Sequence, residues 1–140
     1  MQLAPKDTDA PALIIETSGR LMGRYVTTNP RWRWVLKNSS VPVDDLQRSF
    51  GRFGARDYQR GRDTGDFLEM DATIAQSFCF GGRMCVFVMS LRLKDPERAI
   101  DQAVELSLRA LGVPGEKAAH ISTQPFLLFS FHRTISRQDL

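Results

Sequence analysis

The chain is poor in the residues that build metal sites and covalent frameworks. Its 140 residues include two cysteines and two histidines. His120 and His132 alone cannot make a multi-histidine zinc site. Cys79 and Cys85 lack both the short spacing and the second pair that structural zinc requires. No metal is expected, and both thiols are expected to be buried and reduced. No Gly-x-Gly-x-x-Gly and no phosphate loop is present, so no cofactor is expected. A Gly-x-Ser-x-Gly elbow is also missing. Ten glycines and seven prolines are too few for a collagen-like chain, and 42% hydrophobic residues are too many for wholesale disorder. Apolar runs of membrane-spanning length are lacking, so no membrane partner is expected. Met1 to Ala12 has no apolar stretch of the kind a secretory signal needs, and the expected compartment is the cytoplasm.

What is abundant is arginine, unevenly placed. The net charge is only +3, but residues 17–62 hold ten bases against Asp44, Asp45 and Asp57. Nine of the ten are arginine, the planar donor suited to phosphate and carboxylate forks. Aromatics interleave with them in Arg31-Trp32-Arg33-Trp34, Phe50-Gly51-Arg52-Phe53 and Arg56-Asp57-Tyr58. Guanidinium groups neutralise phosphates, and aromatic faces stack on unpaired bases. The same aromatics also suit a core, with the arginines simply solvated.

The order of elements predicts an α+β fold: a mainly antiparallel sheet, built from two hairpins and a C-terminal strand, with two helices packed on it. Residues 1–11 read as a flexible arm and 12–140 as one domain. Ser18-Gly19 reads as a hairpin turn between residues 12–15 and 20–27, and Arg31 to Lys37 as an alternating strand. Val43, Leu46, Phe50 and Phe53 draw a helical stripe that Gly54 should end. The polar residues 55–66 then form an exposed basic loop. Residues 72–93 read as a hairpin turning at Gly81-Gly82. Asp95, Pro96 and Glu97 form a helix start, with Ile100, Ala103, Val104, Leu108 and Leu111 as its buried stripe. A final strand is expected within 119–135.

Asp63-Thr64-Gly65 resembles the catalytic triplet of aspartic proteases. That family sets an apolar strand before the aspartate, and here Arg60-Gly61-Arg62 stands there instead. The tripeptide reads better as a polar turn. Catalytic residues are therefore not assigned. The function expected is that of a small non-catalytic binding module, a regulator whose Arg-rich centre docks an acidic macromolecule, nucleic acid among the candidates. Its binding residues would be Arg31, Arg33, Arg48, Arg52, Arg56, Arg60 and Arg62. A protein–protein adaptor or inhibitor, with the chain as a homodimer, is the alternative. A small hydrolase using His132 or Asp63 stands third. No helix-turn-helix, zinc finger or RNP motif is visible.

Overall fold

The computed structural model describes residues 11–38 and 43–124, and for residues 43–47 and 49–53 the backbone alone. Among these residues six helices follow one another: α1 (Pro11–Thr28), α2 (Pro30–Asn38), α3 (Val43–Asp63), α4 (Ala72–Ser90), α5 (Pro96–Ala110) and α6 (Gly115–Thr123). There is no strand among the described residues, so the expected α+β sheet is replaced by a helix bundle. Helix α4 packs on α5, α3 and α1, while α1 also packs on α5, α2 and α6.

The corrections in α1, α3 and α4 share a cause, which is glycine inside helices. Gly19 is not a turn but the place where α1 closes on its neighbours. A Cβ there would lie 2.9 Å from Arg83 Nη1 and 3.0 Å from a Val104 methyl. At Gly23 the same atom would meet Ile100 and Phe87. The expected hairpin at 72–93 is the single helix α4, which runs through Gly81 and Gly82. Two helical glycines cost about 1 kcal/mol each, and the burial of Ala75, Cys79, Phe80, Met84 and Phe87 along one side of α4 outweighs them. Asp71 starts α4 by accepting from the Ile74 N–H at 3.0 Å.

Likewise α3 does not stop at Gly54 but continues to Asp63, so most of the expected loop 55–66 is helical. Only Thr64-Gly65-Asp66 turns, with Gly65 at φ 78°. Residues 31–37 are helix α2 rather than a strand. Asn29 caps it, its Oδ1 accepting from the N–H groups of Arg31 (3.1 Å) and Trp32 (3.3 Å), with Pro30 at the first position.

The element read correctly is α5. Asp95 caps it by accepting from the Arg98 N–H at 3.1 Å, and Ile100, Ala103, Val104 and Leu108 are buried. Its far end closes with Gly112 at φ 94° and a Val113 N–H to Leu108 C=O bond of 3.0 Å, the bond that ties off the last turn. Residues 119–123, expected in a strand, belong to α6, and the remainder of that strand lies outside the described residues.

The core comes in two apolar clusters. One gathers Ala12, Ile15, Tyr58, Phe67, Cys79 and Leu108 among others. The other gathers Val26, Leu36, Phe80, Met84, Phe87 and Ile100.

Candidate functional site

The arginines singled out from sequence are divided between two helices. Arg31 and Arg33 sit on α2, which packs on α1, whereas the other five sit on α3, which packs on α4 and α1. Arg31 borders an open cleft of about 380 Å³ with Tyr25, Asn29, Trp32 and Val35. Arg33 turns back to donate from Nη1 to the Thr27 carbonyl at 2.7 Å, satisfying an end of α1. On α3, Arg48, Arg56 and Arg60 are exposed. They stand eight and four residues apart, a drift of about 120° in total, which keeps them within one third of the helix circumference. The side chain of Arg52 lies outside the described residues, as do those of Leu46, Phe50 and Phe53. Arg62 is engaged, donating to the Met70 carbonyl (3.1 Å) and Gln59 Oε1 (3.0 Å). Burial pushes the Asp57 carboxyl above its ordinary pKa, against the pull of Arg56 and Arg60.

Asp63 is exposed at the end of α3 and accepts from Gln59 at 2.8 Å. That is a helix-end turn, as the sequence suggested. His120 is exposed on α6, and His132 lies outside the described residues. Cys79 is buried but Cys85 is exposed, which corrects the expectation of two buried thiols.

Sequence reasoning missed the polar groups inside the bundle. Glu16 and Arg20, one turn apart on α1, are 1% and 6% exposed. Arg20 Nη1 donates to Glu16 Oε1 at 2.7 Å and to the Gln124 carbonyl at 2.7 Å, and its Nε donates to Asp101 Oδ1 at 2.9 Å. Arg24 reaches the same Asp101 at 2.8 Å. Burial raises the Glu16 pKa, and Arg20 lowers it in part. Burial also opposes the Arg20 charge, but the hydrogen bond and charge of Glu16, followed by Asp101, outweigh it and raise the Arg20 pKa. The network ties α1 to α5 and to the end of α6.

On α4, Gln76 and Arg83 are each 8% exposed and seven residues apart, hence on one face. The Gln76 amide lies on α3 at Gly54, and the Arg83 guanidinium lies on α1 at Gly19. Glycine at both places is what admits them. Arg83 Nε donates to its own helix at the Cys79 carbonyl, 3.3 Å away. Its outer nitrogens have no protein acceptor among the described residues, and neither has the Gln76 amide. Burial lowers the Arg83 pKa, with only Cys79 acting against it. The signal for both residues was present, as two polar side chains seven apart in an apolar stretch. A hairpin reading hides that period.

The opposite face of α4 is apolar and open. Ile74 (68% exposed), Phe78 (72%), Val88 and Met89 line it with Cys85, and a Cβ at Gly81 or Gly82 would meet nothing. By length and composition α4 is the one described helix apolar enough to cross a membrane, yet its other face is core of the bundle.

Residues 10–124 match the family model of the tetracyclin repressor-like C-terminal domain. The chain belongs to that family. This repressor-like domain also resembles solved structures of RolR. The RolR complex with resorcinol aligns at a TM-score of 0.77 and 25% identity, covering 86% of this chain and 60% of RolR. RolR without ligand aligns at 0.74 and 24% identity, covering 83% and 60%. The domain thus spans about three-fifths of the length of RolR. None of the curated proteins compared matches it. The all-helical repressor-like fold overturns the α+β expectation, and the regulatory role expected from sequence stands as membership in a regulator family.

Proposed function

We propose that this chain is the effector-sensing and dimerising part of a cytoplasmic transcription regulator. A small organic molecule would enter the bundle interior beside Gln76 and Arg83. Two copies would pair through the outer face of α4. The observation that carries the reading is the family match over residues 10–124. The resorcinol complex of RolR supports a small organic effector. The open apolar face of α4 supports a homodimer. An exposed stripe of Ile74, Phe78, Val88 and Met89 is unusual for a monomer and typical of a helix that meets its own copy.

Sedimentation of the purified chain tests the pairing. The expected result is a dimer that Phe78→Asp converts to a folded monomer. A wild-type chain that stays monomeric across the micromolar range overturns the dimer reading.

The exposed arginines of α3 favour a second, compatible role. Arg48, Arg56 and Arg60 on one side of a helix would draw an acidic macromolecule, nucleic acid first, through long-range attraction. Binding of generic duplex DNA should then weaken steeply with salt, and the slope should flatten when Arg48, Arg56 and Arg60 are all replaced by Ser. Binding to one protein but not to DNA would favour an adaptor instead. Salt-independent binding would remove the role.

A further inference from the structure

Arg83 and Gln76 belong to neither apolar cluster, although both stand on the buried face of α4. A guanidinium carries five N–H donors. Arg83 uses one, on a carbonyl of its own helix. No carboxylate among the described residues reaches it, unlike Arg20, which holds two. The neighbouring Cys79 thiol is no substitute counter-ion. Burial pushes its pKa up, which keeps it neutral despite the pull of Arg83.

Ser122 Oγ is the one side-chain polar atom of the described residues both fully occluded and without a partner. The unpaired ends of Arg83 and Gln76 are therefore not fully sealed in protein and keep a small accessible surface. A buried charge without a partner is costly, and such a charge is normally met by an anion. Phe80, buried on the same face of α4 between Gln76 and Arg83, supplies an apolar wall.

We infer that the interior site of this domain takes a carboxylate-bearing organic molecule, its acid group received by the Arg83 fork, its apolar body beside Phe80 and the Gln76 amide alongside. This inference rests on the effector-sensing reading and names the chemistry of the effector. Guanidinium and carboxylate match as two parallel N–H to oxygen bonds, and a lysine at this position would supply the charge without the fork. Gln76 supplies a donor or an acceptor for a second polar group. An inorganic anion would satisfy the charge but leave the apolar wall unused.

Calorimetric titration of the full chain with benzoate, benzamide, resorcinol and inorganic phosphate tests it, alongside Arg83→Met, Arg83→Lys and Gly19→Ala. Benzoate should bind the wild type at least about tenfold more tightly than benzamide, a difference of ~1.4 kcal/mol. Arg83→Met should erase that preference while leaving benzamide binding in place. Arg83→Lys should keep part of it. Gly19→Ala should weaken benzoate by displacing the guanidinium, because its Cβ would crowd Arg83 Nη1. If Arg83→Met fails to fold, the lysine and alanine variants carry the same comparison.

Benzamide or resorcinol binding as tightly as benzoate, or benzoate binding untouched by the Arg83 variants, overturns the acidic assignment and leaves the sensor reading standing. Phosphate binding as tightly as benzoate overturns the organic part. If none of the four compounds binds, the acidic assignment and the sensor reading fall together.

Discussion

Two arginines in this bundle are buried almost equally, Arg20 at 6% exposed and Arg83 at 8%, yet they are treated in opposite ways. Arg20 is enclosed by Glu16, Asp101 and the Gln124 carbonyl, so its charge is part of the fold. Arg83 is seated against a glycine and given a single carbonyl of its own helix. Burial alone therefore does not distinguish a structural charge from a functional one. The distinction lies in whether the protein supplies the counter-charge.

The largest break in this comparison should come from Arg20→Met. Removing one partner of a buried pair costs roughly 3–5 kcal/mol, and here it strands Glu16 at 1% exposed. The deficit should depend on pH. A carboxyl whose folded pKa exceeds its unfolded value contributes stability that is complete at low pH and lost as pH rises through the folded value. Burial already raises Glu16 in this way, and losing Arg20 raises it further. Urea unfolding of Arg20→Met should thus show a loss that grows from acid to neutral pH, and Glu16→Gln in the same chain should recover part of it. A loss independent of pH would mean that Glu16 is not the stranded group.

A smaller effect is expected on the outer face of α4. Gly81→Ala and Gly82→Ala should each stabilise the domain by up to about 1 kcal/mol, seen as a higher thermal midpoint, since the added methyl meets nothing. If the same face joins two copies closely, the double alanine variant should gain helix stability yet dissociate more readily by sedimentation. The smallest effect is chemical. Cys85 should react with a thiol reagent in the native protein at once, because it is exposed, while Cys79 should wait for unfolding, because it is buried and burial pushes its pKa up.

How much of this was legible in the sequence follows from how each helix signals itself. The start of α5 carries a capping aspartate, a proline in the first turn and a regular apolar stripe, and these local signals agree with the fold. In α1 and α4 they disagree. Glycine at 19, 81 and 82 reads as a turn, Gly23 falls inside an expected strand, and the Val, Phe and Cys content of α4 reads as strand. Two of those glycines, 19 and 23, exist because another helix lies against them, a tertiary reason that no local window contains. The other two stand on an open face where nothing explains them within one copy of the chain. The arginines spaced by four do lie on a helix, α3, because a period of four is a helical signal, although the side chain of Arg52 lies outside the described residues. Arg83 was hidden for the same reason that α4 was. Placed in a hairpin turn it is an ordinary exposed base, and only on a helix does its alignment with Gln76 emerge.

The measurement that tests the central claim most directly is the unfolding free energy of Arg83→Met without any added ligand, set beside that of Arg20→Met. If Arg83 is kept for a guest and not for the fold, removing it relieves a buried charge that no carboxylate among the described residues balances. The variant should then be as stable as the wild type or up to about 2 kcal/mol more stable, opposite in sign to Arg20→Met. A loss as large as that of Arg20→Met would contradict the account, because it would make Arg83 a structural charge like its neighbour.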